Sequence, residues 1–283
     1  MTKRRDIEEH VRILDEIKGI MGAMKNLALM ESHKLSRVLA TQHRVVSDIE
    51  AAGQDFLAFH PTLEPELPGK ELYLVIGAER GFCGDFNERL LSALDRHLRT
   101  TDDRDPVVVI VGRKLLERAE RVHPIAAAVE GPTVSEEVQP VLTRVIDQLH
   151  KVAMRQTSGG RVPVTVVYHD AVTDSVVVRP LRPFPSPPRA ASGRSFPPLL
   201  TLPPAVFFSQ LVDLYLFSLL HAIFYSALMA ESEARLAHLE SALQRLERDQ
   251  TDLFRKRNML RQEEITEEIE VLMLSTLATP HRR

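Results

Sequence analysis

The chain has one cysteine, no tryptophan and few aromatic residues, 5% of its 283 residues. A single cysteine, Cys83, excludes an internal disulfide framework, suits a reducing compartment and gives no cysteine pair for a zinc site. An excess of charge of one sign is missing too: 36 Lys and Arg stand against 39 Asp and Glu, a formal net charge of −3. That balance does not mark a nucleic-acid binder, whose basic residues gather on one face. The runs Lys3-Arg4-Arg5 and Arg282-Arg283 are short and terminal, and read as solvated ends. The opening MTKRRDIEEH has no apolar core and passes straight into acidic, helix-forming residues, so it resembles neither a signal peptide nor a basic, acid-poor transit peptide, and a bacterial cytoplasmic protein is expected.

Proline is also missing from two long stretches, before Pro61 and between Pro204 and Pro280. In the first, Ile7, Val11, Leu14, Ile17, Met21, Met24 and Ala28 recur in steps of three and four, which predicts one helix over residues 6–58. Gly19, Gly22 and Gly53 weaken it without ending it. The second stretch predicts a helix over 205–278, about 110 Å long against about 80 Å for the first. Within it Leu236, Leu239, Leu243, Leu246, Gln250, Leu253, Arg257 and Leu260 form a heptad seam with two polar positions. From Ile265 the phase slips, and by Val271, Leu272, Met273 and Leu274 the helix is apolar on every side, which a two-helix seam cannot bury. Residues 205–230 are apolar enough to weigh as a membrane span, but Gln210, Asp213 and His221 favour a helix buried against the rest of the chain.

Between these helices the period changes. A linker at 60–69 carries Pro61, Pro65 and Pro68; then residues 71–77 (ELYLVIG) read as a buried strand and 85–99 as a helix. Strands follow at 106–112, 125–129, 162–168 and 175–181, with helices at 113–121 and 135–154, the last opened by Ser135 as its cap. Alternation of this kind predicts an α/β region with a largely parallel sheet over 70–181, the last two strands open to being a hairpin. Residues 180–204 hold 9 of the 18 prolines and read as an exposed loop. The fold class is therefore α/β plus a long antiparallel coiled coil. Its domains are a helix to residue 58, a Rossmann-like foot at 70–181, a Pro-rich loop at 182–204 and a C-terminal helix at 205–283. If the terminal helices pair antiparallel, the second outruns the first by about 30 Å as a single-helix tip.

Candidate chemistry is sparse. Gly77-Ala-Glu-Arg-Gly81-Phe-Cys-Gly84 lies between a strand and a helix, where nucleotide loops sit, but it has neither Gly-Lys-Ser/Thr nor G-x-G-x-x-G spacing. It reads as a tight packed turn, and Cys83 as a small buried hydrophobe. The eleven histidines show no metal-ligand spacing, and no cofactor or catalytic set is assigned.

Three separated pieces resemble the gamma subunit of F-type ATP synthases. Asp6-Ile7 with Ile20-Met-Gly-Ala23-Met24-Lys25 is similar to that family's N-terminal "DI…ITKAM" helix. Glu79-Arg80-Gly81-Phe82-Cys83-Gly84-Asp85-Phe86-Asn87 is similar to its "RGLCGxxN" turn, and Arg261-Gln262-Glu-Glu-Ile265-Thr266 with Glu268-Ile269 to its "RQxxITxEI" end. The resemblance implies a non-catalytic central-stalk rotor inside a ring of three alpha and three beta ATPase subunits. It implies further contacts with an epsilon subunit and a membrane c-ring, and a peripheral place on the cytoplasmic side of the bacterial inner membrane. By position, Arg261, Gln262 and Thr266 are its expected catch-loop contacts, and Met24 and Lys25 face the catalytic subunits' acidic loop. Met21-Gly22 replaces the usual "TK", LALMESHK at 27–34 replaces "AASK", and residues 198–203 lack the family's aromatics; these changes look like the N-type bacterial rotary ATPases, coupled to protons or sodium. Two other readings are kept beside it: an α/β nucleotide- or ligand-binding enzyme with helical dimerisation arms, and a membrane-bound coiled-coil scaffold.

Overall fold

A computed structural model describes residues 2–61, 70–103, 105–156, 162–184 and 196–277. Most of the 60–69 linker, much of the Pro-rich loop, including Ser186, Ser192, Gly193 and Ser195, and Pro280 lie outside the described residues. The elements run α1 (Thr2–Leu57), β1 (Leu72–Ile76), α2 (Phe86–Thr101), β2 (Val107–Val111), α3 (Arg113–Ala119), β3 (Ile125–Val129), α4 (Val138–Gln156), β4 (Val164–Asp170), β5 (Ser175–Pro180) and α5 (Pro204–Leu277). By contacts the chain forms two compact units. One comprises Met1–Leu27 and Ala237–Arg283, the other Ala28–Leu236.

The larger unit is built on a five-stranded sheet of order β3-β2-β1-β4-β5. The pairs β1–β2, β1–β4 and β2–β3 are parallel, while β5 returns antiparallel along β4 as a hairpin. Both faces of the central strands are covered, which is why their sequences are continuous β-branched and leucine runs. Leu72, Leu74, Ile76, Val109 and Val166 point to the face packed by α4 and by the parts of α1 and α5 in this unit. Tyr73, Val75, Val108, Ile110 and Val167 alternate to the other face, against Phe86, Leu90 and Leu94 of α2 and Leu115 of α3. The apolar start of α5 belongs to this core. A window of it passes the length and composition test for a membrane span, with mean hydropathy 1.7, yet 56% of that window is buried inside the protein. Tyr215, Leu219, Ile223 and Phe224 pack into the core cluster, and Phe207 and Phe208 lie against the Phe56 ring of α1 at 5.1 and 5.7 Å.

One cap differs from expectation. Ser135 opens a single 3-10 turn, Ser135–Glu137, rather than capping α4, and its N–H donates to the Glu31 carboxylate at 2.6 Å. The Glu137 carboxylate instead accepts from both the N–H and the O–H of Thr133, at 2.7 and 2.8 Å.

Candidate functional site

In the smaller unit, α1 and α5 pair antiparallel through a polar ladder. Lys25 meets Glu240 at 2.8 Å, Lys18 meets Glu247 at 2.9 Å, and Arg4 meets Glu264 at 2.8 Å. Gln250, 6% exposed, donates through Nε2 to Asp15 at 2.7 Å. Steps of seven and three down α1 are matched by steps of seven and three up α5, so the register is a heptad on both helices. Leu239 is fully buried, and Leu243, Leu246, Leu253 and Leu260 are partly so.

On α1, Val11, Met21 and Ala28 of the stripe read from the sequence are buried and Leu14 partly so, and the seam departs from that stripe at Ile17. It passes through Lys18 and Lys25, which are partly buried, while Ile17 is 39% exposed and Met24 only partly buried. A lysine fits there because its methylene stem packs on the partner helix while the ammonium reaches a glutamate at the edge. Each exposed pair is worth at most about 1 kcal/mol. Because the Lys–Glu steps are alike, a slip of one heptad would still pair them; the buried Gln250 on Asp15 is the contact that such a slip breaks.

Beside this seam, large apolar side chains are exposed to solvent. On α1, Ile13, Ile17, Ile20 and Leu27 are 39 to 63% exposed and stand at steps of four, three and seven. On α5, Met259, Ile265 and Ile269 are 46 to 60% exposed, and Val271, Leu272, Met273 and Leu274 are 63 to 67% exposed. Because α1 already begins at Thr2 and Arg4 reaches Glu264, α5 runs on to Leu277 by about 20 Å, less than the overhang expected from a helix beginning at residue 6. Arg261, Gln262 and Thr266 are exposed at the start of this stretch, and the Thr266 O–H donates to the Gln262 carbonyl at 2.9 Å. Lys25 lies opposite Glu240, so the pair Met24 and Lys25 is separated from Arg261 by about 30 Å along α5. The five residues form two stations along the helix pair rather than one constellation.

The Gly-rich turn after β1 is a second organised region, inside the larger unit. A Cβ on Gly77 would stand 2.6 Å from the Leu115 side chain, so only glycine lets α3 approach β1 this closely. The Asn87 Oδ1 accepts from the Ala78 N–H at 3.0 Å, and the backbone turns left-handed at Phe82 and Gly84, with φ of 66° and 59°. The Glu79 Oε2 accepts from the N–H of Arg113 at 2.9 Å and of Gly131 at 2.8 Å, tying together the ends of β1, β2 and β3. From α5, the Glu231 carboxylate accepts from the N–H groups of Glu79 and Arg80, both at 3.4 Å. Arg235 pairs with Glu231 and donates through Nε to the Gly81 carbonyl at 3.2 Å. Burial pushes the Glu231 carboxyl above the usual carboxylate range, against the opposing pull of Arg235.

Protein groups therefore occupy the carboxyl ends of the strands, where an α/β enzyme of the kind weighed from sequence would hold its ligand. A cleft of about 710 Å³ lies elsewhere, between α4 and α5, lined by Ile146, Leu149, Phe208, Val212 and Leu216. Burial pushes the Cys83 thiol up to about 12, which disfavours the reactive thiolate, and its Sγ lies 3.5 Å from the Gly81 carbonyl. Among the described residues, no group of three His, Cys, Asp or Glu is placed to hold a metal. Sequence reasoning missed Glu231 and Arg235. Their signal was a charged pair four residues apart directly after an apolar helical stretch, a position a buried helix tolerates only with partners.

A family model described as "ATP synthase" matches residues 3–274. The ATP synthase gamma chain of Clostridium beijerinckii is 24% identical over 280 residues, covering 93% of this chain and 94% of its own. Among solved structures, a chain of the Euglena gracilis mitochondrial ATP synthase rotor, in rotational state 1, is 16% identical with a TM-score of 0.56, covering 93% of this chain and 99% of that one. A chain of the OSCP/F1/c-ring assembly of the same enzyme, in rotational state 3, is 14% identical with a TM-score of 0.62, covering 98% and 94%. At these identities the structural likeness shows the fold.

Proposed function

We propose, from the premise that the chain belongs to the ATP synthase gamma-subunit family, that it is the central stalk of a rotary ATP synthase. In this reading it couples ion flow through a membrane c-ring to ATP synthesis or hydrolysis in a ring of three alpha and three beta subunits. The observation that carries the proposal is exposed apolar surface: Ile13, Ile17, Ile20 and Leu27 on α1 are 39 to 63% exposed, and Ile265, Ile269, Val271 and Leu274 on α5 are 46 to 67% exposed. A surrounding ring covers that surface.

Met24 and Lys25 form one contact station and Arg261, Gln262 and Thr266 the other. Arg261 and Gln262 present hydrogen-bonding groups to the beta subunits' loops, whereas the Lys25 ammonium exchanges Glu240 for a partner carboxylate or is shared between the two. Catalysis lies in the partners. Because the rotor is asymmetric, each orientation offers each catalytic site a different surface and biases it among open and closed states. An epsilon subunit binds with it, and the chain is held peripherally at the cytoplasmic side of the bacterial membrane through the complex. The choice of proton or sodium belongs to the c-ring.

The test uses the assembled complex carrying Arg261→Ala and Gln262→Ala. Coupled ATPase activity is expected to fall while the chain's unfolding midpoint stays at the wild-type value, because both side chains are exposed. Unchanged coupling in both variants rejects this station as a partner contact.

A further inference from the structure

Both long helices are fastened to the α/β sheet within about a turn of the place where they leave the larger unit. That unit begins at Ala28 on α1 and ends at Leu236 on α5. On α5 the fastening is Glu231 and Arg235, only 4% and 7% exposed, gripping the backbone of Glu79, Arg80 and Gly81. On α1 it is Glu31, whose carboxylate accepts from the Ser135 N–H at 2.6 Å, with Lys34 paired to Glu136 beside it.

Farther into the unit, α5 makes one more directional contact, Ser226, whose hydroxyl donates to Asp170 at 2.8 Å and accepts from the Ala171 N–H at 3.0 Å; beside it the helices meet the sheet through apolar Leu35, Phe56, Tyr215, Ile223 and Leu228. Apolar contact resists separation but is non-directional. Charge-assisted hydrogen bonds depend steeply on distance and angle, so they resist rotation of a helix about its own axis. The gripped turn is itself held: its left-handed residues Phe82 and Gly84 fix its path, and the Glu79 carboxylate anchors it to Arg113 and Gly131. Twist applied to α5 at Arg235 therefore meets a stiff segment of the sheet's edge rather than a compliant loop.

We propose that the Glu231–Arg235 pair, through its hold on Glu79, Arg80 and Gly81, is the joint that passes torsion between α5 and the α/β sheet. Glu31 on Ser135 does the same for α1. The inference rests on the rotor reading above and goes beyond it, since it assigns transmission of twist to residues that touch neither the ATPase ring nor a substrate. They are positioning residues.

The experiment uses the whole complex in sealed vesicles, with ATP hydrolysis and ATP-driven ion uptake measured on the same sample. In the double variant Glu231→Leu with Arg235→Met, both members of the buried pair become apolar groups of similar length, so no uncompensated charge is left, while the Glu79 and Arg80 N–H groups and the Gly81 carbonyl lose their partners. The expected result is assembly with a lowered unfolding midpoint, retained hydrolysis and lost uptake. Uptake per ATP equal to wild type overturns the proposal.

If the double variant does not assemble, Arg235→Lys decides. It keeps the charge beside Glu231 but has no Nε donor for the Gly81 carbonyl. Uptake lost with hydrolysis retained supports the joint. Uptake unchanged, or hydrolysis and uptake lost in equal measure, overturns it. A wild-type complex that fails to assemble or to pump refutes the rotor reading before any variant is compared, and the joint falls with it.

Discussion

Replacing Glu79 by alanine is expected to be among the most costly single polar substitutions in the chain. The Glu79 Oε2 accepts from two backbone N–H groups, Arg113 at 2.9 Å and Gly131 at 2.8 Å, and the residue is 7% exposed. Truncation leaves both donors without an acceptor in a place water reaches poorly. At about 1–3 kcal/mol for each unsatisfied buried group, the loss is about 2–6 kcal/mol, a large share of the roughly 5–15 kcal/mol that holds a domain together. The chain has no tryptophan, so urea unfolding is followed by circular dichroism. Glu79→Gln keeps a carbonyl oxygen that still accepts and is expected to cost clearly less than Glu79→Ala. Arg113, whose Nε lies 3.7 Å from the Glu79 Oε1 and whose side chain is 63% exposed, is expected to cost no more than about 1 kcal/mol when replaced by alanine. The reasoning is refuted if Glu79→Ala unfolds within about 0.5 kcal/mol of wild type, the scatter of ordinary surface substitutions. It is also refuted if Arg113→Ala costs as much, since the ion pair and not the backbone donors would then be the source.

Two further outcomes follow from burial. Leu239 is fully buried in the helix seam, so Leu239→Ala is expected to cost about 2–5 kcal/mol and to raise the rate of proteolysis in the paired helices; Val271→Ala, at a residue 65% exposed, is the control and should unfold like wild type. Burial lowers the His221 pKa, and its Nε2 is buried without a hydrogen-bond partner among the described residues, between the Phe217 and Tyr225 rings at 4.8 and 5.9 Å. As pH falls through the ordinary histidine value of about 6.5, the unfolded chain takes up the proton first, so stability present at higher pH is lost until the folded ring also protonates. His221→Phe should flatten that acid slope, and melting curves from pH 7.5 to 5 check it; a variant with the wild-type slope refutes the assignment.

The long helices and the strands were legible because their signals are local. A heptad of leucines from Leu239 to Leu260 and the β-branched runs of β1 and β2 announce their structure without reference to anything distant. Glu231 and Arg235 were not legible, since the backbone they grip lies about 150 residues earlier and only the fold brings it near. Glu79 stood inside a turn quoted for its resemblance, yet its role depends on N–H groups after β2 and β3. The choice between Ile17 and Lys18 failed for another reason. Hydrophobicity alone favours Ile17, whereas the partner's glutamates, here Glu247, make lysine the better seam residue. Gln250 was readable as a polar seam position, and the structure supplies its partner, Asp15.

The measurement that tests the central claim most directly is rotation of this chain inside its own complex. Val172, 68% exposed at the turn between β4 and β5, offers an attachment point as Val172→Cys, because the native Cys83 is buried with its thiol pushed up to about 12. With the complex fixed through its beta subunits and a bead on residue 172, ATP is expected to drive rotation in one direction, and omission of ATP to stop it. A bead that stays still, or diffuses without direction, while the same complexes hydrolyse ATP would contradict the account.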